Sequence, residues 1–204
     1  MRLTVFGATG RTGRHVLAEG LRRGHQLTAF TRHPLALDDP TALAAVVQGD
    51  ARDPRAVHTA IDGAAAVIST IAGGTRRDPH RLADTTRVLI RAMADLAVGR
   101  LVVTSAYPIV VDQPPLAMAL LRRLLATPYA DNAEMEQLVA ASGLDWTIVR
   151  LNRLTNKAAS GRIHTSRGLL EKPHGVARAD VAATLLDIVE DTTLAGTAIN
   201  VAGE

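Results

Sequence analysis

The sequence predicts an α/β fold in a single domain: a doubly wound, mostly parallel sheet with helices on both faces. Three observations predict it. Short apolar runs alternate with amphipathic stretches along the whole 204-residue chain, the pattern of strands joined by crossover helices. Of the residues, 47% are hydrophobic but only 2% are aromatic. Aliphatic side chains must therefore fill the core, which suits strands buried on both faces. Finally, the glycine-rich stretch Gly7-Ala8-Thr9-Gly10-Arg11-Thr12-Gly13 stands directly between the first apolar run and the first helical stretch.

The elements follow in order. Residues 3–6 read as a strand and 12–23 as a helix, with Gly24 at its C-cap. The second strand covers 26–31, and a loop with Pro34 and Pro40 leads to a third at 45–48, ending in Gly49-Asp50. Asp53-Pro54 combines an N-cap with a first-turn proline and opens a helix to about residue 60. Residues 65–69 form a buried fourth strand. Asp78-Pro79 repeats the start signal for a helix to about residue 97, followed by a fifth strand at 101–104. A helix at 131–141 stops before Gly143, and a strand follows at 146–150. A helix at 178–189 and a strand at 198–201 complete the pattern. Two segments interrupt it, 107–127 and 152–175, and each follows a strand C-terminus. That edge of an open α/β sheet is where ligands bind. Each segment reads either as a surface connection, with 116–126 a short helix, or as a lid.

Several classes of function are excluded. The chain has no cysteine, so disulfides and thiolate chemistry are absent. Its seven histidines show no metal-ligand spacing such as His-Glu-x-x-His. Ser69, Ser105 and Ser142 lie in no Gly-x-Ser-x-Gly elbow. Twenty-three basic against 20 acidic residues give a net charge of +3, too mild and scattered for nucleic acid. The N-terminus enters a strand without an apolar signal segment. No apolar run approaches the roughly 20 residues of a membrane span, so the expectation is a cytoplasmic protein.

The glycine turn carries the functional reading. Between a strand and a helix, Gly7 permits the turn, Gly10 admits a pyrophosphate, and Gly13 lets the helix pack close to the strand. Together with Thr9, Arg11 and Thr12 this is the phosphate-binding start of a Rossmann fold. The second strand then decides between dinucleotides. An NAD binder places a carboxylate there for the ribose 2′-hydroxyl. Here Thr31-Arg32-His33 stands in that place, with Arg32 nineteen residues after Gly13. A guanidinium grips a 2′-phosphate, so NADP(H) is expected over NAD(H). Asp50 would face the adenine or cap its own turn. Ser69-Thr70-Ile71-Ala72-Gly73 would let the cofactor pass the end of the fourth strand.

With these pieces placed, the chain resembles the atypical short-chain dehydrogenase/reductase group, with its NmrA-like NAD(P)-binding members. Within that group it is most similar to the flavin reductases, also called biliverdin-IXβ reductases. The resemblance is carried by GATGRTG at 7–13, TR at 31–32, GD at 49–50, VVTSAY at 102–107 and SGLDWTIVR at 142–150. It implies an NADPH-dependent reductase whose hydride reaches a flat flavin-, quinone- or tetrapyrrole-like acceptor. It maps the active-site serine onto Ser105 and places Arg153 where the flavin reductase has histidine, to bind an acidic substrate or a cofactor phosphate or to lie on the surface; Tyr107 is the other candidate substrate contact. The chain departs from ordinary short-chain dehydrogenases in lacking Tyr-x-x-x-Lys: Tyr107 is followed four residues on by Val111, and Tyr129 by Ala133. The alternative reading is therefore a non-catalytic, NmrA-like sensor of NADP(H) with a protein partner. An isomerase or epimerase with retained cofactor ranks last.

Overall fold

The computed structural model describes residues 1–111 and 123–204. The expected helix at 116–126 falls mostly outside them. The first half runs β1 (Arg2–Phe6), α1 (Arg11–Arg22), β2 (Gln26–Thr31), β3 (Ala45–Gln48), α2 (Pro54–Ile61) and β4 (Ala66–Ser69). There follow α3 (Arg81–Asp95), β5 (Arg100–Ala106), α4 (Ala126–Ala140) and β6 (Asp145–Leu151). The C-terminal part holds β7 (Leu154–Thr155), β8 (Ile163–Ser166), β9 (Val176–Ala177), α5 (Arg178–Glu190) and β10 (Thr197–Gly203).

Eight strands form one sheet in the order β3-β2-β1-β4-β5-β6-β10-β8. The pairings are parallel except for β8, which runs antiparallel to β10 at the edge. The chain leaves β1 toward β2 and β3, then returns to add β4 on the other side, so the order reverses between β1 and β4. In that pair Phe6 lies opposite Ser69, which sets Gly7 and Thr70 side by side just beyond the strand ends.

The alternating pleat divides the core in two. Leu3 and Val5 point to the face covered by α1 and α5, where they pack with Val16, Leu17, Val181 and Leu185. Phe6, Val67 and Leu101 pack on the other face with Val57, Leu89, Met93 and Met135 from α2, α3 and α4. Each such side chain, fully buried, contributes on the order of 1.5–3 kcal/mol. Arg100 on β5 is also buried. It ties the sheet to the end of α5 by donating to the carbonyls of Asp145, Ile188 and Asp191 and to Thr147 Oγ1.

The structure corrects the expected elements in three places. First, α3 starts at Arg81, not at Asp78-Pro79. Asp78 instead closes a tight turn with Thr75 and pairs its carboxylate with Arg52. Second, α4 starts five residues before Asp131, with Pro128 accommodated in its first turn. Asp131 is thereby freed to cap a different helix: its fully buried carboxylate accepts the Leu82 and Ala83 amides of α3 at 2.8 and 2.9 Å. Third, the 152–175 stretch contains β7 and β8, short strands whose polar, non-alternating residues carry no strand signal.

Replacing Asp131 with alanine strands two buried amides at the start of α3. The expected cost is about 2–3 kcal/mol, read as a fall in melting temperature of roughly 4–12 °C at 2–4 °C per kcal/mol. Asp131→Asn, which keeps one acceptor, should lose less.

Candidate functional site

A cleft of about 620 Å³ lies along the C-terminal edge of the sheet, across the reversal in strand order. Its size is that of a small-molecule site, and its position is the one where open α/β sheets bind ligands.

The glycine turn forms its floor. Gly7 adopts φ +75°, a left-handed conformation that side chains resist. Gly10 donates its amide to the Gly7 carbonyl at 2.8 Å. It is also the N-cap of α1, which has no side-chain cap and no acidic residue in its first turn. Gly13 is pressed against the turn: a Cβ there would fall 2.2 Å from the Gly7 carbonyl oxygen. Thr9, Gly10, Arg11 and Thr12 line the cleft, whereas Gly13 lies behind them. A first helical turn without side-chain caps attracts an anion through its free amides and dipole. The turn therefore fits a dinucleotide pyrophosphate.

At the end of β2, the Thr31 hydroxyl lies 2.9 Å from that of Thr9 and accepts the His33 amide at 3.0 Å. This bond fastens the strand end to the glycine turn. Arg14 fastens the next loop, donating to Asp38 at 2.8 Å and to the Ala36 carbonyl at 2.7 Å. Arg32 is different. It stands exposed on the cleft wall, and its guanidinium has no partner among the described residues. Asp50 lines the cleft, and its Oδ1 caps its own turn by accepting the Arg52 amide at 2.9 Å.

Beyond β4, Thr70, Ile71 and Gly73 line the cleft, whereas Ser69 is buried and outside its lining. Thr70 donates its hydroxyl to the Phe6 carbonyl at 3.1 Å, bridging β4 to β1. Gly73 packs tightly on α4: a Cβ would stand 2.5 Å from Asn132 Nδ2. Ser105, at the end of β5, also lines the cleft. Its hydroxyl reaches Asn132 Oδ1 at a long 3.4 Å, while Asn132 Nδ2 is held by the Pro128 carbonyl at 2.6 Å. The Ser105 hydroxyl is thus oriented but weakly engaged.

Two expected substrate contacts are not brought to the cleft. Tyr107 is buried with its hydroxyl accepting the Leu170 amide at 2.8 Å, and Arg153 is exposed; neither lines the cleft. Leu151, Asn152, Leu154 and Arg178 occupy that side instead. Sequence reasoning missed Asn132 and Arg178. For Asn132 a signal existed: Asp131, Asn132, Met135, Glu136 and Val139 make the buried face of α4, so polar residues sit at core positions of a helical period. Glu136 there takes a bidentate ion pair from Arg150 of β6. Among the described residues no His, Asp and Glu cluster could hold a metal ion, and no helix is long and apolar enough to cross a membrane.

A family model described as NAD(P)H-binding matches residues 7–192. An uncharacterized protein of Mycobacterium tuberculosis is 32% identical over 150 residues, covering 74% of this chain but 14% of that protein. The chain thus spans a small part of that relative's length. Among solved structures, the anaerobillin reductase ChuY of Escherichia coli O157:H7 superposes with a TM-score of 0.86 at 22% identity, covering 100% of this chain and 97% of that one. A Veillonella parvula short-chain dehydrogenase/reductase crystallised with NADP gives a TM-score of 0.82 at 20% identity, covering 100% and 94%. These likenesses share the Rossmann fold, as the sequence predicts.

Gly13→Ala puts a methyl group against the Gly7 carbonyl and must push the turn out of shape. The expected result is at least roughly tenfold weaker binding of NAD(P)H, in the range of one or two lost charge-assisted hydrogen bonds. Fluorescence titration of the reduced cofactor reads it.

Proposed function

Because the chain belongs to the NAD(P)H-binding family, we propose that it is an NADPH-dependent reductase of a flat conjugated acceptor such as a flavin, quinone or tetrapyrrole. One observation carries this reading. A single cleft holds the uncapped glycine turn, an arginine at the end of β2 without a partner among the described residues, and a weakly engaged serine at the end of β5.

In this reading Gly7, Thr9, Gly10, Arg11 and Thr12 hold the pyrophosphate, and Gly13 sets the turn. Arg32 grips the 2′-phosphate, so NADP(H) is preferred over NAD(H). Asp50 faces the adenosine, and Thr70, Ile71 and Gly73 border the path toward the nicotinamide. When bound, the cofactor supplies a hydride. Ser105 releases its long bond to Asn132 Oδ1 and turns its hydroxyl to hydrogen-bond the carboxamide or donate to an acceptor carbonyl. No side-chain acid is required, because a reduced flavin or quinone takes its proton from water. This agrees with the tyrosines: the Tyr107 hydroxyl is engaged, and burial pushes the Tyr129 hydroxyl above its ordinary pKa with no lysine four residues on to lower it.

The direct test is titration with NADPH followed by addition of FMN, riboflavin and a small quinone in the same cuvette. Acceptor-dependent loss of NADPH supports the reductase. Tight binding with no turnover of any acceptor overturns it in favour of the sensing reading. Arg32→Asp should weaken NADPH by roughly 10–100-fold, the worth of a charge-assisted contact to phosphate, while changing NADH little. Equal losses for both cofactors would remove Arg32 from that role. Ser105→Ala should lower acceptor turnover by roughly 10–100-fold, the range of one oriented hydrogen bond to a reacting group, with NADPH affinity kept.

A further inference from the structure

We infer that Arg178 forms an anion-binding subsite on the acceptor side of the cleft and takes a carboxylate or phosphate carried by the acceptor. The inference rests on the reductase reading and names the class of its substrate as an anionic acceptor.

Arg178 opens α5, lines the cleft and is only 8% exposed. A buried guanidinium normally has a carboxylate or several carbonyls around it, because desolvating a charge without compensation is costly. The other arginines away from bulk solvent obey this rule. Arg150 has Glu136, and Arg100 has three carbonyls and a hydroxyl. Arg81 donates to the Ala72 and Gly73 carbonyls. Arg178 makes a single hydrogen bond among the described residues, from Nη1 to the neutral Asn156 Oδ1 at 2.6 Å. Asp180, the acid in its own turn, is occupied elsewhere, accepting the Ser160 and Gly161 amides at 3.0–3.1 Å. Burial, and after it the like charge of Arg11, hold the guanidinium below its usual pKa. A positive group left uncompensated in a ligand cleft is complementary to an incoming anion.

Its anchorage sets it apart from the residues assigned to the cofactor, although Arg11 is close enough to act on its charge. Arg32 and Asp50 follow β2 and β3 on one side of the glycine turn, and the uncapped start of α1 serves the centre. Arg178 is anchored to Asn156, just past β7, and shares its wall with Leu151, Asn152 and Leu154 at the end of β6. In the sheet order β2-β1-β4-β5-β6 that wall is removed from the β2 end that carries Arg32, and it adjoins Ser105, whose strand pairs with β6.

FMN and riboflavin share one ring system and differ by a phosphate, so their affinities for the NADP⁺-saturated protein test the subsite without turnover. Flavin fluorescence should report FMN binding tighter than riboflavin by roughly tenfold or more, as a charge-assisted contact warrants. In Arg178→Gln that ratio should collapse to near one with NADP⁺ affinity unchanged, and Arg178→Lys should keep part of it. FMN that binds no tighter than riboflavin, or not at all, overturns the inference, as does an unchanged ratio in Arg178→Gln. A loss of NADP⁺ affinity with the ratio preserved also overturns it, assigning Arg178 to the cofactor pyrophosphate. If Arg178→Gln fails to fold, Arg178→Lys decides: a ratio equal to wild type with weaker NADP⁺ binding counts against the subsite. Absence of NADPH oxidation with either flavin would sink the reductase reading separately, leaving the binding ratio to judge Arg178.

Discussion

The site depends on how closely α1 approaches the end of β1. A Cβ on Gly13 would stand 2.2 Å from the Gly7 carbonyl oxygen, and one on Gly10 would stand 2.9 Å from the same atom. No side chain fits into that contact. The tight approach lets α1 begin where β1 stops, so its first amides open at the strand reversal between β1 and β4. A helix starting even one turn later would displace that dipole by about 5 Å, the pitch of an α-helix. The uncapped start of α1 has a cost of its own, since orphan amides want partners. Natural helices usually meet it with a Ser, Thr, Asp or Asn cap. Here Gly10 leaves it open, which is the local concession to a ligand that the rest of the fold must stabilise.

That stabilisation is partly polar and buried. Asp131 reaches from α4 to cap α3, Glu136 of the same helix grips Arg150 of β6, and Arg100 ties β5 to the end of α5. Each bond fixes one element relative to another rather than adding much net energy, because burying a charge consumes most of what its partner returns. Asp131 and Glu136 together hold α4 against both the start of α3 and the end of β6. Asn132, one residue from Asp131, thereby sits within reach of both Gly73 and Ser105.

What could be read from the sequence divides along the same line. The strand and helix alternation, the glycine turn and the place of Arg32 at the end of β2 were legible, because local periodicity and spacing determine them. The start of α3 was not. Asp78-Pro79 looks like a helix start, yet the cap comes from Asp131, 49 residues along the chain from Leu82, and no local rule points so far. Tyr107 and Arg153 were misjudged as cleft residues for a related reason. Both follow strand ends, but after β6 the short strand β7 carries the chain past Arg153, and Tyr107 turns inward to hold Leu170. Arg178 was invisible because its meaning lies in an absence of counter-charge, which only packing reveals.

The arginines give the cleft a gradient of purpose rather than a uniform positive field. Arg14 and Arg52 are consumed by Asp38 and Asp78 and shape loops. Arg32, exposed and free, can wait in water at little cost, since an exposed guanidinium keeps its hydration. Arg178, buried and paired only with an amide, cannot. The two therefore suit different tasks. In the proposed reading, the exposed Arg32 would discriminate between NADPH and NADH by what it gains on binding. A desolvated one discriminates between acceptors by what it loses when the incoming molecule brings no charge, and that penalty is the larger lever for specificity. A reductase without a tyrosine acid has little other means of choosing among flat, redox-active rings. Under the proposed function, recognition of the acceptor's charged substituent, rather than of its reacting ring, is then the discrimination assigned to Arg178.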